Sequence, residues 1–261
     1  MIMSANSLIL LVLLFFITSL VGVVTGSNSL ITVPVMFQFE IEPKTAVATN
    51  MFGLLFLSIG GSLPFLGKGV IDRKRMPKLI LITIVGSAIG AALVSFITGN
   101  ALKVIVLVSM VAVCIFTLLK RDAGLSKVES ISTKSLVIAY VLTFLMAIYG
   151  GLFSGGYVTV LTASYIALFG MTYTQAIAET KIINIFSSAI ATVIFMWQGL
   201  IDYRLGIILA VVMFAGAYIG AKTVTKLNDL WLKRIFLSTV LLLAVKTIFD
   251  FSVEIISRKN T

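Results

Sequence analysis

The sequence predicts an all-α integral membrane protein of about eight hydrophobic segments, arranged as two inverted four-element repeats that each open with a broken or re-entrant helical hairpin. Composition is the first observation. Of the 261 residues, 59 % are hydrophobic and 11 % are charged, whereas soluble domains carry about 25 % charged residues. Apolar runs of about 20 residues recur, which favours membrane-crossing helices over barrel strands. We expect one membrane domain over 1–261.

The second observation is a pair of interrupted apolar runs, 8–39 and 135–169. Each run is too long for one membrane crossing and too short for two, so we predict a helix that stops, turns and returns. The first arm, 8–21, would rise about 21 Å, past the middle of a core roughly 30 Å thick. The interrupting residues are Gly22, Thr25, Gly26, Ser27, Asn28 and Ser29 in the first run and Gly150, Gly151, Ser154, Gly155 and Gly156 in the second.

The third observation is an internal repeat, because one constant shift along the chain superposes its two halves without a gap. This repeat shift places Gly26 on Gly156, Ile71–Asp72 on Ile201–Asp202, Gly86 on Gly216 and Gly90 on Gly220. The repeats are 8–120 and 135–250, joined by a linker over 121–134. The remaining predicted spans lie at 44–66, 79–98, 101–119, 173–198, 204–225 and 231–250.

Loop charges predict the topology. If each broken run enters and leaves on one face, the segments 66–79, 120–134 and 222–234, with net charges of +4, +2 and +3, all become cytoplasmic. If each run crossed once instead, 222–234 would lie outside, against the positive-inside rule. The first arrangement gives each repeat an odd number of crossings, so the repeats are inverted, as in many secondary transporters.

The two interruptions predict an anion site. A returning helix begins with unpaired N–H groups and a positive dipole end, which together attract anions. The alternative is that these small residues only allow close helix packing. The predicted substrate-binding residues here are Thr25, Gly26, Ser27, Asn28, Ser154, Gly155 and Gly156.

The span that follows each interruption adds Asn50 in the first repeat and Glu179, Lys181 and Asn184 in the second. Intramembrane charges are rare and usually face the bundle interior, so Lys181 is a candidate anion ligand and Glu179 a candidate for proton or ion coupling. The alternatives for Lys181 are a structural pair with Glu179 or a side chain that snorkels to the interface. Asn50 and Asn184 could instead make plain helix–helix hydrogen bonds.

These features resemble the sulfite exporter TauE/SafE family over nearly the whole chain. The resemblance rests on the broken run before Pro34, Ala-Val-Ala-Thr49-Asn50, Thr180-Lys181-Ile-Ile-Asn184, the Ile-Asp of each repeat and the later Gly-x-x-x-Gly pairs. It implies transport of sulfite, sulfoacetate or related sulfur-containing anions across the bacterial cytoplasmic membrane. The chain departs from the family at Met51, where relatives often carry Lys.

We therefore predict a secondary transporter or exporter of a small anion that works by alternating access of the two repeats. The expected partners are this anion, the lipid bilayer and a second copy in a homodimer, without nucleic acid, cofactor or metal. One rival is an intramembrane enzyme acting on a lipid phosphate, which predicts a carboxylate or Arg cluster at an interruption. Another is a structural or chaperone role in a larger complex, which predicts long polar loops or a long tail.

Overall fold

The computed structural model describes residues 5–26, 28–119 and 132–226, together with Trp231 and Arg234. Within these ranges all regular structure is helical. The helices are α1 (Ala5–Thr25), α2 (Ser29–Gln38), α3 (Pro43–Ser62), α4 (Met76–Val94), α5 (Gly99–Leu119), α6 (Thr133–Leu152), α7 (Tyr157–Phe169), α8 (Tyr173–Trp197) and α9 (Tyr203–Val224).

Six of the described helices, α1, α3, α4, α6, α8 and α9, are long and apolar enough to cross a membrane. The prediction of an all-helical, multi-pass membrane protein is thus confirmed. The predicted span 231–250, apart from Trp231 and Arg234, and most of the linker 121–134 lie outside the described residues. Local sequence sets several helix starts: Glu42 accepts a hydrogen bond from Thr45 N at the start of α3, and Thr172 forms a capping box with Gln175 at the start of α8.

The first arm of each broken run is longer than predicted. α1 contains 21 residues and continues to Thr25, so it rises about 31 Å, and the prediction of a half-length arm over 8–21 is wrong. Gly22 does not end the helix, because its carbonyl accepts a hydrogen bond from Gly26 N at 2.9 Å. Gly151 likewise stays inside α6, where a Cβ would lie 2.2 Å from Ser87 O; this glycine allows close packing rather than a break.

The second broken run folds back on itself. The Tyr165 hydroxyl on α7 lies 3.0 Å from the Thr143 hydroxyl on α6, and the rings of Tyr140 and Phe169 are 5.9 Å apart at the other end of the pair. The second contact joins residues farther from the break than the first does, along both α6 and α7. The two helices therefore run antiparallel and form a hairpin. The break itself is short, and α7 begins after Gly156, whose φ of 79° suits glycine.

The first helix of each run packs against a helix from the other half of the chain. α1 lies along α9, and α6 lies along α4. The backbones touch at glycines: a Cβ on Gly220 would lie 2.2 Å from Leu20 O, and one on Gly90 would lie 1.9 Å from Ile148 O.

The two glycine contacts do not match perfectly under the repeat shift. The shift relates Gly90 to Gly220, but it relates Leu20 to Gly150 rather than to Ile148. The gapless superposition therefore does not extend to α1 and α6. The longer break after α6, residues 153–156 against 26–28, absorbs part of this difference.

Candidate functional site

The breaks in the two runs meet. Thr159 Oγ1, at the start of α7, donates a hydrogen bond to Thr25 O at 2.6 Å. The hydroxyls of Ser29 and Ser154 lie 2.8 Å apart. Gly26, with a φ of 67°, sits against Val158, and a Cβ at Gly26 would lie 2.6 Å from that side chain. Residues from the two halves of the chain therefore form one junction.

A small cavity lies at this junction. Its volume is about 10 Å³, close to the space that one water molecule needs, so the walls must move apart before it can hold an anion. Its walls combine residues of α1, α2, α3 and α8 with the two breaks and the start of α7. The lining residues are Gly22, Gly26, Asn28, Ser29, Leu54, Leu57, Ser154, Val158, Lys181 and Asn184.

Lys181 is the charged residue in this lining. Its side chain is 1 % exposed, and its Nζ donates a hydrogen bond to Gly22 O at 3.0 Å. No carboxylate of a described residue forms an ion pair with it, and Glu179 is turned elsewhere. Neither snorkelling nor pairing with Glu179 therefore describes Lys181. It is a buried cation held by a backbone carbonyl, with ammonium protons left to donate.

Two asparagines face the same cavity. Asn28 Nδ2 donates to Ser19 Oγ at 2.9 Å, and Asn184 Nδ2 donates to Ser58 Oγ at 2.6 Å. The Oδ1 atoms of both asparagines are buried without a hydrogen-bond partner. Asn184 thus makes the helix–helix bond that was its alternative and lines the cavity as well.

Helix ends shape the electrostatics of the cavity. α2 begins at Ser29 and α7 begins at Tyr157, beside the lining residue Val158. The start of a helix carries partial positive charge, although Tyr157 N already donates to Ser154 O at 3.2 Å and Ile31 N to Asn28 O at 3.0 Å. α1 ends here too, and its carbonyl at Gly22 is already bonded to Lys181. The two helix starts and the ammonium group give the cavity a positive character.

Five predicted site residues line the cavity: Gly26, Asn28, Ser154, Lys181 and Asn184. The others surround it or lie outside the description. Asn50 bonds to the hydroxyls of Thr32 and Ser29 at 2.7 and 2.9 Å. The Thr25 carbonyl accepts a hydrogen bond from Thr159 of α7, and Gly155 packs against the Phe153 ring. Gly156 directly precedes α7, and Ser27 lies outside the described residues.

Glu179 lies on another face of α8. Its Oε1 accepts a hydrogen bond from Asp72 N at 2.9 Å and lies 3.7 Å from Arg75 Nη2, while Oε2 is buried without a partner. Arg75 also bonds Asp72 at 3.0 Å and covers the Phe169 ring. Partial burial tends to raise the pKa of Asp72, but the N–H groups of Lys74 and Arg75 and the guanidinium of Arg75 lower it overall. Glu179 therefore anchors the turn before α4 rather than the cavity.

Sequence reasoning missed the residues behind the cavity. Ser19 and Ser58 are fully buried and hold the two asparagines. Ser19 precedes Asn28 by nine positions inside an apolar run, a spacing that carries no recognisable signal. Ser58 had a signal only through its match with Ser188 in the repeat. Gly22, treated as part of the interruption, supplies the carbonyl that holds Lys181.

Comparisons with known proteins find one matching family and several probable membrane transporters. The family described as "Sulfite exporter TauE/SafE" matches residues 11–247. Probable membrane transporter protein ORF9 of Sinorhizobium sp is 25 % identical over 90 % of this chain and 90 % of its own length. Probable membrane transporter protein YfcA of Escherichia coli (strain K12) is 24 % identical over 93 % of this chain and 91 % of its own. A probable membrane transporter protein of Haemophilus influenzae is 22 % identical over 92 % and 95 %. No solved structure matches the chain.

Proposed function

Since the chain belongs to the sulfite exporter TauE/SafE family and is a multi-pass membrane transporter, we propose that it carries a small anion across the bacterial cell membrane by alternating access. Sulfite and organosulfonates are the first candidate substrates. The relatives named above are described as probable membrane transporters without a stated substrate. The choice of an anion therefore depends on the cavity of this chain.

Lys181 is the observation that carries this proposal. A buried ammonium group without a carboxylate is costly unless another group compensates its charge. Lys181 is 1 % exposed and bonded to one carbonyl, in a cavity where two helices begin. A singly charged oxyanion would accept hydrogen bonds from the ammonium group, from Ser154 and from the helix N–H groups, and would neutralise the buried charge.

The inverted-repeat arrangement is supported by contacts that recur in the two halves. Asp72 N donates to Glu179 Oε1 at 2.9 Å, and Asp202 N donates to Thr49 Oγ1 at 3.0 Å. The repeat shift relates Asp72 to Asp202 and Thr49 to Glu179, so each half supplies the donor once and the acceptor once. The packing of α1 on α9 and of α6 on α4 likewise joins a helix of the first half to a helix of the second half. Such reciprocal contacts are expected when two copies of one unit associate about a twofold axis.

Glu179 is the proposed coupling residue. It is 1 % exposed, its Oε2 is unpaired, and it joins α8 to the turn before α4. Protonation would neutralise the carboxylate and weaken its attraction to Arg75. Under this proposal, Glu179→Gln keeps an oxygen that can accept from Asp72 N but removes the dependence of transport on a proton gradient.

The enzyme alternative receives no support from the cavity. A hydrolase for lipid phosphates would need carboxylates or arginines at the reacting centre, and the lining residues contain a single lysine instead. The lining residues include no His, Asp or Glu that could act as a general base. Transport is the function that this residue set favours.

Thermal stabilisation of the purified protein tests the proposal. An anion that binds the folded state raises the melting temperature as its concentration rises. Sulfite, sulfate, sulfoacetate, taurine and acetate should be compared at constant ionic strength, and at least one of the sulfur-containing anions should stabilise the wild type. The same anion should not stabilise Lys181→Met. A protein that responds to none of these anions would contradict the proposed substrate class.

A further inference from the structure

The two asparagines that face the cavity are both held from behind by a serine of a neighbouring helix. Ser19 on α1 accepts from Asn28 Nδ2, and Ser58 on α3 accepts from Asn184 Nδ2. Both serines are fully buried and neither lines the cavity. The same two-residue unit, an amide in the wall and a hydroxyl behind it, therefore occurs twice around one small space.

Each unit leaves an oxygen unsatisfied. Asn28 and Asn184 are 4 % and 2 % exposed, and the Oδ1 atom of each has no partner. A buried unsatisfied acceptor costs about 1–3 kcal/mol, so two such atoms in one cavity require an explanation. Because Nδ2 is turned toward the serine, Oδ1 is the arm of the amide that is left for the cavity. Lys181 lines the same cavity as the two asparagines.

A serine hydroxyl can hold an amide in either of two orientations. It accepts a hydrogen bond from Nδ2 in the observed arrangement, but it can equally donate its proton to Oδ1 after the amide flips and exchanges its oxygen and nitrogen. The flipped amide would satisfy the serine proton and the orphaned oxygen together. It would also direct the N–H₂ group into the cavity, where an anion could accept from it.

We propose that Ser19 and Ser58 are positioning residues that let Asn28 and Asn184 reverse the polarity of the cavity between its empty and loaded states. This inference depends on the proposed anion substrate. In the empty cavity the carbonyl dipoles compensate the Lys181 cation, and in the loaded cavity the amide N–H groups bind the anion. The buried charge is compensated in both states, which a transporter needs if it is to return empty.

A double-mutant cycle on the full-length protein tests this role. Anion affinity is measured by thermal stabilisation with sodium sulfite, with sodium sulfoacetate and sodium acetate in parallel. Ser58→Ala should weaken binding roughly tenfold, because the amide loses the group that holds it. In an Asn184→Leu background the same Ser58→Ala change should have no further effect, because the serine acts through the amide. Ser19→Ala and Asn28→Leu form a second, independent cycle.

The controls separate positioning from packing. Ser62 lies one turn further along α3, and its hydroxyl donates to Ile59 O in its own helix. Ser62→Ala should therefore leave anion affinity unchanged. Ser58→Thr and Ser19→Thr, which keep the hydroxyl, should retain binding within about threefold in at least one case. A loss from Ser58→Ala that is equally large in the Asn184→Leu background would overturn the inference.

The outcome for the wild type separates the two proposals. If sulfite or another anion stabilises the wild type and both serine-to-alanine variants respond equally well, the anion site stands and the positioning role is wrong. If no anion stabilises the wild type, the proposed function and the positioning role fall together. Coupling confined to one serine–asparagine pair would overturn the role of the other serine.

Discussion

The starts of α3 and α8 make the same contacts with different chemistry. On α3, Thr49 accepts from Asp202 N. On α8, the residue that the repeat shift relates to Thr49 is Glu179, which accepts from Asp72 N. The next position bonds the returning helix in both cases: Asn50 on α3 bonds Thr32 of α2, and Thr180 on α8 lies 3.2 Å from Thr162 of α7. The third position is Met51 in the core of one half and Lys181 in the cavity of the other.

This difference separates architecture from chemistry. Thr49 accepts from the opposite half at 3.0 Å and Glu179 at 2.9 Å, so this contact needs a hydrogen-bond acceptor but no charge. The charge of Glu179 is therefore not needed for this contact, and Lys181 makes a bond to Gly22 O that Met51 cannot make. Under the proposed function, the two buried charges of α8 serve anion binding and coupling, whereas the matching residues of α3 have a supporting role.

The largest effect is expected from replacing Lys181 of α8 by methionine, the residue type at the matching position of α3, Met51. Lys181→Met should abolish anion-dependent stabilisation, with a loss of affinity of roughly 100-fold or more, because a buried charge-assisted hydrogen-bond donor is removed. The variant should remain folded and inserted, since Met51 occupies the matching position in the core. Thermal shift against sulfite measures the effect, and Met51→Leu is the matched control. Wild-type affinity in Lys181→Met would show that the two positions are functionally alike.

The next effect concerns the breaks. Gly26→Ala should lower the free energy of unfolding by about 3 kcal/mol, since a left-handed conformation costs about 1–2 kcal/mol and overpacking costs about 1–3 kcal/mol more. The added Cβ would lie 2.6 Å from Val158 Cβ. Gly199→Ala is the matched control because Gly199 has a φ of 66° but nothing within 4 Å. Melting in detergent should separate the two variants clearly; equal shifts would mean that the breaks are not tightly joined.

A smaller difference in the free energy of unfolding is expected between substitutions of Asn50 on α3 and of its counterpart Thr180 on α8. Asn50→Leu should cost about 1–3 kcal/mol, because Thr32 and Ser29 both lose a buried partner. Thr180→Val should cost about 1 kcal/mol, since the Thr180 hydroxyl is also bonded within its own helix, to Ala176 O at 2.7 Å. Denaturant or thermal unfolding of the two variants side by side provides the measurement. The opposite order would place the tighter junction in the second half.

The smallest stability change is expected from substituting Glu179 of α8. Glu179→Gln keeps an oxygen that can accept from Asp72 N and loses the attraction to Arg75 at 3.7 Å. It also removes the desolvation cost of a buried carboxylate, so we expect a change in the free energy of unfolding below about 1 kcal/mol. Thr49→Val, which removes the acceptor of Asp202 N, should cost about 1 kcal/mol. Thermal unfolding of both variants provides the comparison. A much greater loss in Glu179→Gln than in Thr49→Val would make the Glu179 charge a structural requirement.

Sequence reasoning selected five residues that line one cavity, at positions where residue type was informative. Lys181 stands out because a charge inside an apolar run is rare, and Gly26, Asn28 and Ser154 stand out as polar or flexible interruptions. Helix periodicity then put Asn184 one turn from Lys181. These five residues do line one cavity, and their role as substrate ligands stays a prediction. Their convergence could be anticipated because two matching interruptions suggested a shared junction.

The remaining features depend on packing that no local pattern records. Gly22 and Gly151 look like helix breakers but stay helical, and each lies where a neighbour approaches closely. Asn50 looks equivalent to a site residue, yet Thr32 and Ser29 take up its amide. Ser19 and Ser58 are ordinary small residues until the fold brings them behind Asn28 and Asn184.

The glycine contact between α1 and α9 has a consequence for biosynthesis. α1 ends at Thr25 and α9 begins at Tyr203, and the face of α1 that meets Gly220 through the Leu20 backbone has no final neighbour until α9 has been made. At about 5–20 residues per second, α1 waits on the order of ten seconds or more in the membrane before that neighbour emerges. α4 and α6 follow each other much sooner. α1 is therefore the first of the described helices to be synthesised but among the last to complete its packing. Most of the described chain has been made before α1 and α9 can pack together.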